Sequence, residues 1–343
     1  MSARPRILQT RRWPDEVERR LVLFYDVVVD AVDRPLSHDA LSAAMREFDA
    51  ICPTVSDRID AGILEIPGAR VRMIGNFGAG TDNIDLAAAR RAGIAVSNTP
   101  GVLTEATADL AMLLMLSAAR NGSRGERELR EGRWAGWRPT HLLGGELSGK
   151  SLGLVGFGRI AQATARRAHL GFGMSIRYFS RSRAVPDTER ALGAQHIDDL
   201  DELIAASDIV SLHIPGGEAT RHLIDARRLA LMKPSAILVN TARGTVVDEA
   251  ALAAALKAGR IAAAGLDVYE REPEVHPDLL DCENAVLLPH LGSATVETRC
   301  AMGHKVADNL DAFFAGQPLP DPVVVPSEKG ASLANSENPS HTS

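Results

Sequence analysis

A run of apolar residues, a glycine turn and an amphipathic stretch follow one another in "SLGLVGFGRIAQATARRA", which begins at Ser151. Few local patterns restrict a fold as tightly. Gly156, Gly158 and Ala161 stand at the spacing G-x-G-x-x-A. Gly156 permits a tight turn, Gly158 lets a ligand's phosphates approach the backbone, and Ala161 is small where helix packs on strand. The helix N-terminus adds unpaired N–H groups and the positive end of a dipole. Glycines occur in many loops by chance, so the context carries the argument. A strand precedes the turn, a helical pattern (160–169) follows, and a second strand, "SIRYF", ends roughly twenty residues on. Further strands read as "IVSLHI", "AILVNT", "AAGLDVY" and "AVLLPH", with helical patterns at 200–206 and 248–258 between them. Six strands with crossovers after such a turn predict a doubly wound α/β domain that binds a dinucleotide.

The chain before this point also alternates strand and helix. "RILQT", "AICPTV", "VRMIGNFGAG" and "GIAVSNTP" read as strands or strands entering loops, and "LSAAMREF" as a helix. This predicts a second parallel sheet. The longest helical signal, "TEATADLAMLLMLSAARNG", is apolar almost all round. It should be buried between layers or subunits, with Thr104 as its N-cap. Residues 132–149 hold Trp134 and Trp137 among glycines and prolines and read as an exposed arm. An apolar helix at 296–314 leads to "VVVP" and is expected to return to the first domain. "RRWPDEVERR" mixes charges and reads as a solvated helix face. The domains expected are therefore a discontinuous substrate domain, 1–102 plus 293–326, and a dinucleotide domain, 103–292, with a cleft between them. Residues 327–343 read as a disordered tail.

Bulk composition excludes several roles. A net charge of −6 gives no support to nucleic-acid binding. No run of about 18 apolar residues exists, so no membrane span is expected. The N-terminus lacks the apolar core of a signal peptide. Cys52, Cys282 and Cys300 show no metal or redox spacing, which fits a reduced, cytoplasmic chain without a metal site.

The end of the second strand usually carries an acid that grips the adenosine ribose. Here Ser180, Arg181, Ser182 and Arg183 stand there. An acid would repel a 2′-phosphate, whereas two hydroxyls and an arginine fork would bind it. NADP(H) is expected over NAD(H). The bland alternative is a solvated basic loop.

Three groups end later strands: Arg243 in "NTARG", Glu272 in "GLDVYEREP" and His290 in "LLPHLGSAT". In a parallel sheet these ends face the dinucleotide crevice. Reduction of a 2-keto acid needs a carboxylate clamp, which Arg243 offers, and a proton donor, which His290 offers. Glu272 would orient the imidazole and favour its protonated form. Taken singly, each has a dull alternative as a surface arginine, a solvated acid or a core histidine. His213, before Pro215, reads either as a neighbour of the cofactor or as a satisfied strand-end histidine.

These motifs, with "NFGAGTDNIDLAAARRAGIAVSNTPGVLTEATADLAMLLML", "LMKPSAILVNTARGTVVDEAALAAALKAGRIAAAGLDVYEREP" and "LLPHLGSATVETR", resemble the D-isomer-specific 2-hydroxyacid dehydrogenase family over residues 5–326. The resemblance implies that Arg243, Glu272 and His290 are the substrate-binding arginine, the assisting acid and the catalytic histidine. It implies that Val55 and the amides of Ala79 and Gly80 face the substrate carboxylate. Thr104 would lie by the nicotinamide, and Asp267 would accept from its carboxamide. The cofactor contacts would extend to Phe157, Arg159 and Ile160, to Thr241 and Ala242, and to Gly292. Within the family the chain looks most like glyoxylate/hydroxypyruvate reductases, which can carry a similar Ser-Arg loop and use NADPH. "AICPTVSD" departs from them at Pro53 and Thr54, where larger apolar residues are common, and this loosens the substrate assignment. Phosphoglycerate dehydrogenases are similar but often carry a C-terminal regulatory domain, for which the length here leaves no room. Formate dehydrogenases of this fold lack the Glu–His pairing. The alternatives are an NAD-dependent dehydrogenase of the D-lactate or D-glycerate type and, more remotely, a dinucleotide-sensing corepressor. The resemblance also implies a homodimer, with Trp134 and Trp137 packed in its arm or reaching the neighbouring subunit's site.

Overall fold

Every apolar strand expected from the sequence lies in one of two sheets in the computed structural model, which describes residues 4–325. The expected disordered tail lies outside the described residues. The chain divides into two compact units. One comprises the chain up to Val102 together with that from Val296 onward, and the other runs from Leu103 to Thr295.

The first unit opens with β1 (Arg6–Gln9), α1 (Asp15–Phe24), β2 (Asp26–Val29), α2 (His38–Glu47), β3 (Ala50–Cys52), α3 (Ala61–Leu64), β4 (Met73–Gly75), α4 (Leu86–Arg91) and β5 (Ala95–Ser97). The second unit holds α5 (Thr104–Ala119), α6 (Gly122–Arg130), β6 (Ser151–Val155), α7 (Arg159–Phe172), β7 (Ser175–Phe179), α8 (Pro186–Leu192), β8 (Ala194–His196), α9 (Leu200–Ala206), β9 (Ile209–Leu212), α10 (Ala226–Leu231), β10 (Ile237–Asn240), α11 (Glu249–Lys257), β11 (Ala263–Leu266), α12 (Pro277–Leu280) and β12 (Ala285–Leu287). The chain then returns to the first unit as α13 (Val296–Phe314) and β13 (Pro322–Val324).

The second sheet is parallel throughout, in the order β12-β11-β10-β9-β6-β7-β8. The order reverses between β6 and β9, and there a doubly wound sheet opens a crevice at its carboxyl ends. It has seven strands where six were expected. β8 is the addition: three residues, "AQH", at the sheet edge and half exposed, with no apolar pattern to announce it. The first sheet runs β13-β5-β4-β3-β1-β2. It is parallel except for β13, which pairs antiparallel with β5. β2, "DVVV", was also not anticipated and is the other edge.

Tertiary packing explains why α13 belongs to the first unit. Arg20 of α1 donates to Asp308 and Asp311 of α13 at 2.7 Å each, and the Tyr25 hydroxyl donates to Asp311 at 2.6 Å. The charged opening helix is not merely a solvated face, because Trp13, Val17 and Leu21 are buried. In the second unit, Met112, Leu114 and Met115 of α5 join one apolar cluster with Leu152 and Leu154 of β6, Ala161 and Ala165 of α7, and Val239 of β10. Each fully buried side chain of this size contributes roughly 1.5–3 kcal/mol. Most of the apolar surface of α5 is thus covered within its own unit, with Leu113 left exposed. Thr104 is its first helical residue rather than its cap: Leu103 takes the cap position and no side chain caps the helix. Within residues 132–149, Trp134 and Trp137 are exposed while Leu147 is buried.

Candidate active site

The glycine turn sits between β6 and α7. Gly156 has φ +91°, and a Cβ there would lie 2.5 Å from the His213 carbonyl oxygen. The turn therefore needs glycine for both conformation and close approach. Gly158 is different, since a Cβ there would meet nothing within 4 Å. It takes the N-cap position of α7 without a side-chain cap, so the helix presents its first amides beside open space. Arg159 and Ile160 begin that helix, and Ala161 is fully buried. Gln162 donates to the Phe157 carbonyl at 2.9 Å, and the Phe157 ring stacks on Tyr178 at 3.8 Å. This is a cradle for an anionic group, held from behind.

The loop after β7 is braced by Glu189 of α8. Its carboxylate accepts from Arg183 through both nitrogens at 2.9 Å and from the Tyr178 hydroxyl at 2.7 Å. The Tyr178 oxygen in turn accepts from the Ala184 amide at 2.9 Å. The Arg183 hydrogen bonds, followed by that of Tyr178, hold the Glu189 carboxyl down at about 2. Arg183 thus helps to shape the loop through an ion pair with Glu189. Arg181 is exposed and makes no ion pair or side-chain hydrogen bond among the described residues. The Ser180 hydroxyl donates to the Ser182 carbonyl.

Past β11 and β12 the chain builds an acid–histidine pair. His290 Nδ1 lies 2.8 Å from Glu272 Oε2, and Glu272 Oε1 accepts from the Tyr269 amide at 3.0 Å. Burial pushes the Glu272 pKa up, but the hydrogen bond and charge of His290, the Tyr269 amide and the charge of Arg243 outweigh it, and the net direction is down. His290 has φ +55°, uncommon for a residue with a Cβ. Asp267 explains how it is held. The His290 amide donates to the Asp267 carbonyl at 2.9 Å, the Leu291 amide to Oδ1 at 2.7 Å and the Gly292 amide to Oδ2 at 2.8 Å. Three consecutive amides wrap one buried aspartate, and the turn they form aims the imidazole. Each Asp267 oxygen keeps a second lone pair for another donor.

Arg243 leaves β10 on a turn shaped by Asn240, whose side chain accepts from the Ala242 amide at 3.0 Å and donates to the Arg243 carbonyl at 2.9 Å. Thr241 is buried, and its hydroxyl has no partner among the described residues. Arg243 itself donates to the Ala242 carbonyl at 2.7 Å and acts electrostatically on Glu272. The next residue shows why the two loops meet: a Cβ on Gly244 would lie 1.8 Å from the Tyr269 carbonyl carbon. Gly244→Ala should therefore displace the Glu272 loop and lower the melting temperature by several degrees, an overpacking effect of about 1–3 kcal/mol; an unchanged melting curve would refute this packing argument. His213 adjoins the site, with Nε2 3.0 Å from Ser211 Oγ. Burial lowers its pKa to about 4, so it is neutral. Pro215 follows on an exposed turn.

In the first unit, Val55, Ala79 and Gly80 lie on loops tied by polar side chains. Asn98 donates to the Ala79 carbonyl at 2.7 Å, Asn76 to those of Gly78 and Gly80 at 3.2 and 2.8 Å, and Asn83 to that of Thr54 at 3.0 Å. The amides of Ala79 and Gly80 donate to no backbone carbonyl among the described residues. Asn76 and Asn240 were not singled out from the sequence. An asparagine closing an otherwise apolar strand, as in "RMIGN" and "ILVN", is the available signal.

The second unit is a doubly wound α/β domain whose open glycine turn, buried unpaired Thr241 hydroxyl and Asp267 fit a nicotinamide dinucleotide, beside an Arg–Glu–His set suited to carbonyl reduction. Residues 112–292 match the D-isomer specific 2-hydroxyacid dehydrogenase, NAD binding domain. A glyoxylate reductase of Thermococcus litoralis is 44% identical over 322 residues, 93% of this chain and 96% of the relative. The crystal structure of an NADPH-dependent glyoxylate/hydroxypyruvate reductase from Sinorhizobium meliloti, in complex with NADP and malonate, is 37% identical. It matches with a TM-score of 0.80 over 94% of this chain and 97% of that one. The holo D-mandelate dehydrogenase of Rhodotorula graminis is 35% identical with a TM-score of 0.82, over 95% and 100% of the two chains. The chain belongs to the D-isomer-specific 2-hydroxyacid dehydrogenase family, and is an NAD(P)-dependent oxidoreductase.

Proposed function

We propose that this chain reduces small 2-keto acids, glyoxylate and hydroxypyruvate foremost, with NADPH as the favoured reductant. The observation that carries this reading is the His290–Glu272 pair at 2.8 Å, with Arg243 close enough to act on Glu272, in a chain similar to glyoxylate reductases. The bound dinucleotide supplies the hydride. Arg243 receives the keto-acid carboxylate as a charge-assisted fork; in the first unit, Val55 and the amides of Ala79 and Gly80 are the substrate-binding groups. His290 donates the proton to the developing alkoxide, Glu272 stabilises the imidazolium, and Asp267 holds the turn that aims it. Thr104, Thr241, Ala242 and Gly292 line the nicotinamide end, while Phe157, Arg159, Ile160, His213 and Pro215 border the phosphates and adenosine. Exposed Leu129, Trp134, Trp137 and Leu143 favour a homodimer through residues 132–149. Turnover of glyoxylate and hydroxypyruvate is measured by NADPH absorbance; no turnover of either would sink the assignment.

Cofactor choice has its own test. Arg181 reads the 2′-phosphate, and Arg183 holds the loop through Glu189. Arg181→Ala should raise the KM for NADPH about tenfold or more, the loss of a charge-assisted contact, and leave NADH kinetics unchanged. Equal effects on both cofactors, or none on either, would contradict the role given to Arg181.

A further inference from the structure

Glu249 is a buried acid to which the mechanism gives no task. Glu249 is 5% exposed and is the first residue of α11. Helix capping does not account for it, because Asp248 takes that role by accepting from the Ala251 amide at 3.0 Å. The Glu249 carboxylate turns instead to a different segment. It accepts from the Glu270 amide at 2.7 Å. Glu272 lies two residues beyond this donor. The Glu272 segment closes on itself, with the Glu274 amide donating to the Arg271 carbonyl at 2.9 Å. From outside, the Glu270 side chain is held by Arg221 and His222 at 2.8 Å each. The charged or titratable groups facing Glu249 are Glu270 and His276. Glu249 also ends the connection that starts at Arg243, whose Gly244 is packed on the Tyr269–Glu270 backbone. One carboxylate thus joins the segment bearing Arg243 to the segment bearing Glu272. Burying an acid is costly unless its hydrogen bonds are satisfied, and an apolar residue would fill the space at less cost.

We propose that Glu249 is a positioning residue: it anchors the Glu272 segment at the Glu270 amide, and so sets Glu272 against His290 and in register with Arg243. The proposal rests on the reading that Glu272 assists His290. A double-mutant cycle tests both. Glu249→Gln replaces a charge-assisted hydrogen bond to the Glu270 amide by a weaker neutral one and should lower kcat for glyoxylate reduction about 10-fold, as a small misplacement does. The Kd for NADPH, followed by fluorescence, should stay within about twofold, because Glu249 bonds to the Glu270 segment and not to the glycine turn. In a Glu272→Gln background the same substitution should cost less than about threefold, since its effect passes through Glu272. Losses that multiply in the double variant, or an unchanged kcat in Glu249→Gln, would overturn the proposal while leaving the site reading intact. A Glu272→Gln enzyme with wild-type kcat would overturn the site reading and this proposal with it. Should circular dichroism show Glu249→Gln unfolded, Glu249→Asp, with its charge drawn back by one methylene, faces the same criteria.

Discussion

Replacing His290 with alanine lowers kcat for keto-acid reduction by about 10²–10⁴-fold and leaves the Kd for NADPH nearly unchanged. The size follows from the proton-donor role proposed for His290. Sparing of the cofactor follows from the geometry. The His290 turn is held by backbone amides on Asp267, none of which is lost with the imidazole. Alanine keeps a Cβ at φ +55°, so the backbone strain is of the same kind before and after. Stopped-flow single turnovers separate the chemical step from product release, and NADPH fluorescence titration reports binding. A single-turnover rate within threefold of wild type would remove His290 from the proton path. The pair also has a stability signature. Folding lowers the Glu272 pKa, so its contribution is present above the ordinary carboxylate range and is lost as pH falls through the depressed value.

The second large effect falls on substrate binding. Arg243→Ala should lower kcat/KM for glyoxylate by about 30- to several-thousand-fold, equivalent to about 2–5 kcal/mol for truncating one side of a hydrogen-bonded charge pair. Most of this should appear as a raised KM, in contrast to the kcat loss at His290. Asn240 holds the turn through the backbone of Ala242 and Arg243, so truncating the guanidinium leaves the turn in place. Arg243→Lys should recover little, because a lysine cannot present two parallel donors to a carboxylate. Steady-state kinetics over a wide glyoxylate range decides it. An unchanged KM and kcat would take Arg243 out of the site.

Legibility followed burial. Strands covered on both faces, such as "SLGLV" and "ILVN", are continuous apolar runs and were readable as such. The edge strands β2 and β8 are short and half exposed; β8, "AQH", has no apolar run, and the three valines of β2 follow closely on the apolar end of α1, which hides the boundary. The residue types of the catalytic set were legible because strand-end Arg, Glu and His are chemically distinctive. Their supports were not. Glu189 and Glu249 look like any surface acid in a helix, until each is seen to hold a loop from another part of the chain.

By itself, then, the order of residues determined the alternation of strand and helix, the glycine turn and the residue types proposed for the site, since these depend on periodicity, backbone freedom and functional-group chemistry within short segments. Only the tertiary structure decided which arginine of the "SRSR" loop pairs with Glu189, which backbone amides wrap Asp267, and which carboxylate ties the Arg243 and Glu272 segments together. Those are pairings between residues 6 to 25 positions apart in the chain, and a hydrogen bond at that separation exists only once packing has brought its two ends together.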